Sequence, residues 1–312
     1  MSDPRATALH VGIVLALAGA FFVLPEYHSG NLARIMVLAV YAMGYNILFG
    51  YTGLLSLGHA LFFAAGMYGL ALPIEHFGWA PIPAFAVGLV AALAVSAAIG
   101  ALALRTVGVA FMIVTLMFAQ AGFLLALYFG EWTGGDEGFA IPQALRSVAG
   151  IDLTQGDTRY ASALLLFAVC LFLTARVVQT PFGRALVAIR ENEERARMLG
   201  YDVTRLKLWA VVLSGTMAGA AGAAYALLFG YAGASFAAVH HSILPLLWVL
   251  LGGAGTTIGP LIGTGFMFYL IDFSSEITTA YMIVAGVALV LLVLFARTGI
   301  AGELRRIWRW LP

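Results

Sequence analysis

The chain has 312 residues, of which 62% are hydrophobic and 10% charged, and a formal net charge of +1. Soluble domains carry roughly 45–50% apolar and about 25% charged residues, so a chain of mean hydropathy +0.98 takes the bilayer as its solvent. That composition excludes a nucleic-acid binder, a disordered scaffold and a disulfide-stapled secreted domain, and the one cysteine, Cys170, has no intrachain partner to bridge.

A spanning helix needs about 20 mostly apolar residues. Such segments lie near 8–24, 32–50, 53–72, 82–104, 107–129, 159–178, 208–230, 240–252, 258–272 and 281–297. The first follows a lone Arg5 and resembles a signal peptide. No small-x-small site precedes Pro25-Glu26-Tyr27, so it is read as a retained helix. The segment 53–72 carries Ser56, Gly58 and His59, which suit either a broken or a re-entrant element. The segment 240–252 is too short to cross alone and is read as half-length or tilted. The expectation is an all-α, polytopic integral membrane helix bundle with about 8–10 transmembrane segments, forming one domain over 1–312.

Orientation follows from the Lys and Arg of the short loops. With ten segments, one side collects thirteen basic residues, among them Arg5, Arg105, Arg176, Lys207 and Arg305. The other has only Arg34, Arg146 and Arg159. Both termini are therefore expected in the cytoplasm. Two polar islands interrupt the bundle. The outer one, about 130–158, is rich in Gly and Asp turn chemistry. The cytoplasmic one, about 179–207, reads as a single helix opened by Pro181 and ended by Gly200 as a left-handed C′ residue, with Asp202 or Thr204 capping the next helix.

Catalytic equipment is missing. The sole lysine, Lys207, stands between Leu206 and Leu208, so no phosphate-cradling GxxxxGK[ST] loop is present, and no HExxH or Cys pair offers a metal site. His240 and His241 are adjacent and read as interfacial. Asn46, Ser56, His59 and Gln120 are candidates to line a pathway, with helix packing as the competing role for His59. No charged residue lies centrally in any span, which suits a solute of zero net charge and an energy source outside this chain. Small residues four apart mark close helix contacts: Ser214, Ala218 and Gly222; Gly215 and Gly219; Gly255, Gly259 and Gly263.

In the cytoplasmic island, Glu194-Arg195-Ala196, three more residues and Gly200 resemble the EAA loop of ABC importer permeases, with Arg195 where the pattern has Ala. GYTGLLSLGHALFFAAGMYG at 50–69, EWTGGDEGF at 131–139 and LLGGAGTTIGPLIGT at 250–264 extend the likeness. Together they resemble the permeases of branched-chain amino acid (Liv-type) ABC transporters, whose relatives also carry urea, short amides or aromatic compounds. The TGG of the outer loop resembles the larger of two permease types, with one acid more than that pattern.

The resemblance implies an ABC importer permease fold and no cofactor in this chain, with ATP and Mg held by two cytoplasmic ATPase subunits. It implies a second homologous permease subunit, a periplasmic solute-binding protein, a setting of membrane lipid in the bacterial inner membrane and no nucleic acid. Gly183, Arg184, Arg190, Glu191, Asn192, Glu194, Ala196 and Gly200 would form the loop that couples to the ATPases. Trp132, Thr133, Gly134, Gly135, Asp136 and Glu137 are candidate contacts for the binding protein. A stand-alone secondary transporter or channel is the alternative of another class.

Overall fold

The computed structural model describes residues 4–148, 150–277 and 298–307, with single positions between 280 and 290. Among these, seven helices are long and apolar enough to cross a membrane. In chain order they are α1 (Pro4–Val23), α2 (Glu26–Asn46, continued by a π-helical turn Ile47–Tyr51), α3 (His59–Phe77), α4 (Pro81–Ala103), α5 (Val109–Tyr128), α7 (Gly156–Gln179) and α10 (Val203–Phe229). Shorter pieces are α6 (Gly130–Thr133), α8 (Pro181–Glu191), α9 (Glu193–Met198), α11 (Val239–Gly252) and a helix over Gly299–Ile307. The helix α12 (Gly259–Ile277) has full length but carries Asp272 and Glu276 in its last turns. The expected segment 281–297 lies outside the described residues but for a few positions up to 290.

The bundle is organised around α2 and α10, the two most buried long helices. Lipid offers no hydrophobic drive between helices, so close backbone approach has to supply the attraction. Glycines make that approach here. A Cβ on Gly66 of α3 or Gly222 of α10 would run into the backbone carbonyl of Gly219 or Phe63, and one on Gly44 of α2 would stand 2.7 Å from the Ser214 carbonyl. The ladder of Ser214, Ala218 and Gly222 thus packs α10 against α2 and α3, and Gly215 with Gly219 turns toward Ser96 and Ala92 of α4.

Several expected boundaries move. The segment 53–72 is broken: residues 52–58 are non-helical and α3 begins only at His59. Tyr45 donates to the Ser56 carbonyl at 2.9 Å, and the Leu57 amide donates to Thr115 at 3.2 Å, so this internal stretch keeps its polar groups satisfied. The segment read from 208 begins at Val203, because Asp202 accepts from the Arg205 amide at 3.0 Å and starts the helix inside the polar island. Gly255 is no part of a helical ladder. It sits at φ +75 in the turn between α11 and α12, while Gly259 and Gly263 press on Gly252 and Trp248 of α11.

Two ends of the bundle can be told apart. One carries the 179–207 segment together with the turns at 47–58 and 253–258, and His10 of α1 reaches it by a 2.8 Å bond to Thr257. Gly253 packs there against Thr298 and Gly299. The other end carries 130–155, where two-residue strands interrupt the all-helical plan: β1 (Phe139–Ala140) pairs with β4 (Tyr231–Ala232), and β2 (Ser147–Val148) with β3 (Ile151–Asp152).

Candidate functional site

The 179–207 unit is built by local rules. Thr180 caps α8 by accepting from the Gly183 amide at 3.3 Å, and Pro181 occupies the first helical turn, where a missing N–H costs nothing. Gly183, Ala185, Leu186 and Ile189 face inward. The island is two helices rather than one. Asn192 leaves helical geometry (φ −161, ψ 105), and its side chain caps α9 by accepting from the Arg195 amide at 2.8 Å. Asn competes with the helix through such local bonds, and Glu193 and Glu194 in the new first turn suit the N-terminal dipole.

The end of α9 carries paired bonds from Tyr201 N to Ala196 O (3.2 Å) and from Gly200 N to Arg197 O (3.0 Å), with Gly200 at φ +88. That is the Schellman pattern, which needs a left-handed residue at C′. A small core of Ile189, Ala196 and Val203, with Leu206 packed on it, holds α8, α9 and α10 together. Glu193 adds a clamp, accepting from Lys207 at 2.6 Å and Arg197 at 3.0 Å.

Arg190 joins this unit to the bundle. Its Nη1 donates to the Gly50 carbonyl at 2.5 Å, and its Nη2 pairs with Glu191 at 2.8 Å. Gly53, at φ +76, lets the Arg190 side chain lie across it; a Cβ there would stand 2.9 Å from Arg190 Cγ. Asn46 then bridges onward, donating to the Thr256 carbonyl at 2.8 Å and accepting from the Gly255 amide at 2.9 Å. The turns at 50–53 and 253–256 thus meet the polar unit at one junction. Beside it opens a cavity of about 680 Å³, lined by Gly53, Val107, Phe111, Asn192, Glu194 and Lys207 among others.

The pathway candidates are dispersed. Asn46, Ser56 and His59 are fully buried. Asn46 serves the junction just described, and Ser56 accepts from the Gly58 amide at 3.1 Å. His59 pairs through Nε2 with Ser214 at 2.7 Å, and Ser214 donates to the Gly44 carbonyl at 2.5 Å. These bonds tie α3, α10 and α2 together. Gln120 is half-buried on α5, apart from that network.

In the opposite loop, Thr133 is buried and donates to the Ala126 carbonyl at 2.5 Å. Gly134 and Gly135 take φ +75 and +59, and Trp132, Asp136 and Glu137 are exposed. Tyr231 holds the tip by donating to the Glu137 carbonyl at 2.8 Å.

Arg184 is exposed on α8, and Glu194 and Gly200 are exposed on and just after α9, whereas Gly183 and Ala196 are buried beneath them. Reading the island alone misses Gly50, Gly53, Gly255 and Thr256, which lie outside it, and the pairing of Glu193 with Lys207 within it. The glycine-rich strings at 50–53 and 252–255 are the signal that points to this junction, since both are turn chemistry inside apolar sequence.

The multi-pass bundle with its braced polar unit agrees with the class its relatives belong to, the permease subunit of an ABC importer. The chain belongs to the family described as branched-chain amino acid transport system, permease component, which it matches over residues 28–296. It is 29% identical over 92% of its length to the high-affinity branched-chain amino acid transport system permease protein LivM of Salmonella typhimurium, covering 73% of that protein. The LivM of Escherichia coli gives the same identity and coverage. Over 47% of the chain it is 29% identical to the autoinducer 2 import system permease protein LsrC of Photorhabdus laumondii, covering 43% of that protein. No solved structure is a significant match.

Proposed function

We propose that this chain forms half of the translocation pathway of an importer for branched-chain or other hydrophobic amino acids. The observation that carries the reading is the Arg190 junction, where a solvent-facing helical unit grips the two turns that end α2 and α11. In this reading two ATPase subunits dock on α8 and α9 and hold the ATP and Mg, and the chain has no cofactor of its own. A second homologous permease completes the pathway, and a solute-binding protein meets the 130–158 face around Trp132, Asp136 and Glu137. The whole of 1–312 acts as one transmembrane domain in the bacterial cytoplasmic membrane, with both termini on the cytoplasmic side beside the basic 179–207 unit.

The names of the LivM relatives support amino acids as cargo. Similarity to LsrC favours a second reading, the same machinery carrying another small solute. Reconstitution with the partner subunits tests both. ATP-dependent leucine uptake is expected, with none from the chain alone. Gradient-driven flux through the chain alone would overturn the importer reading, and uptake of another solute without leucine would overturn the cargo.

A further inference from the structure

Three basic side chains at the 130–158 end come from separate parts of the chain. Arg34 lies on α2, Arg146 precedes β2, and Arg159 lies in the first turn of α7. They converge on the end of α10. The guanidinium carbons of Arg34 and Arg159 stand 5.1 and 5.9 Å from the Phe229 ring centroid, and a Cβ on Gly230 would come 2.5 Å from Arg146 Nη1. The ring face offsets part of the charge. Among the described residues, no carboxylate stands within ion-pairing distance of any of the three. The Nε atoms of Arg146 and Arg159 are buried without a hydrogen-bond partner. Those two atoms are closed even to water, so a ligand reaches these side chains only through their amino ends.

Arg34 and Arg159, but not Arg146, line a cavity of about 420 Å³ together with Glu26, Gly30, Asn31 and Phe229 among others. Glu26, Gly30 and Arg34 recur every four residues and so share one face of α2. Gly30 leaves that face open, and Arg159 Nη2 lies 3.7 Å from where its Cβ would stand. Two arginines against one glutamate leave the lining net positive. The neighbouring α1 ends in Phe22 and Val23, both more than four-fifths exposed, and Tyr160 ties α1 to α7 by donating to the Leu17 carbonyl at 2.6 Å. A cationic cavity therefore opens beside bare apolar helix, which is the chemistry of the lipid headgroup boundary.

We propose that Arg34 and Arg159 form an oxyanion site that takes the phosphate of a membrane phospholipid, whose acyl chains lie along α1. Guanidinium forks match phosphate oxygens with paired bonds, and the net positive lining supplies the attraction.

The test uses the full-length chain, delipidated in a maltoside detergent, with thermal unfolding followed during three titrations. These are short-chain phosphatidylglycerol, inorganic phosphate, and the matching diacylglycerol without phosphate. Phosphatidylglycerol is expected to stabilise the chain, with diacylglycerol much weaker. Arg34→Gln with Arg159→Gln is expected to raise the half-saturating concentration at least about tenfold, the scale of losing one hydrogen bond to a charged group. Arg105→Gln, at the other end of the bundle, is expected to leave it unchanged. Equal stabilisation by diacylglycerol, or an unaffected double variant, would overturn the site. Inorganic phosphate matching the lipid at equal concentration would overturn the lipid as its source. Should the double variant not fold, the wild-type comparison of lipid with and without phosphate still decides.

Discussion

Arg190 donates to the backbone carbonyl of Gly50, 140 residues earlier in the chain, at 2.5 Å. This bond couples the polar 179–207 unit to the end of one of the two most buried helices. Asn46 in turn ties the end of α2 to the turn between α11 and α12.

Removing that donor takes away a partly buried bond from a charged group, which contributes about 1.5–3 kcal/mol at most. Arg190→Ala is expected to keep membrane insertion and ATPase attachment while uptake per ATP falls. Arg190→Lys is expected to restore little, because one ammonium cannot reproduce the fork that reaches both Gly50 and Glu191. Unchanged stoichiometry of uptake to hydrolysis in Arg190→Ala would show that the junction transmits nothing.

Gly200 has open space around it, with nothing within 4 Å of a Cβ, so substitution there acts through backbone strain alone. Gly200→Val is expected to cost about 1–2 kcal/mol for a left-handed β-branched residue and to rotate α9 out of place. Gly200→Asn is expected to stay near wild type, since Asn tolerates this conformation. Co-purification of the ATPase subunits checks both; equal attachment by the Val and Asn variants would defeat the argument.

Gly222 behaves differently because its neighbour is backbone. A Cβ there collides with the Phe63 carbonyl, which cannot rotate away. Gly222→Ala is expected to destabilise the α3–α10 contact by about 1–3 kcal/mol, the range for overpacking a tight core. The readout is the thermal midpoint in detergent, with Gly19→Ala on α1, which meets nothing within 4 Å, as the comparison that carries the helix-propensity gain alone.

At the opposite end, Asp136 and Glu137 project from a loop whose backbone is fixed by three left-handed glycines, Gly134, Gly135 and Gly138. Reversing both charges is expected to slow binding-protein-stimulated ATP hydrolysis more at low salt than at high salt, because exposed charges are screened over about 10 Å at 0.1 M. Identical stimulation at both ionic strengths would remove these acids from the docking surface.

Hydropathy and turn chemistry are properties of neighbouring residues, and whatever depends on them is legible in the amino-acid sequence by itself. The spans, the polar islands, the left-handed Gly200 and the capping role of Asp202 all follow from short-range rules. So does the small-residue spacing on α10, although its partners do not. The split of the polar island at Asn192 is written there too, in an Asn followed by two acids, but it competes with an equally good helical pattern and the pattern alone does not rank them. Tertiary structure decides the rest. Arg190 meets Gly50, Asn46 meets Gly255, and Arg34 and Arg159 meet at Phe229 only because glycine-lined helices pack closely enough to set the depth and rotation of each span. A side chain's partner across a bundle depends on those two quantities, and neither is encoded in the residues beside it.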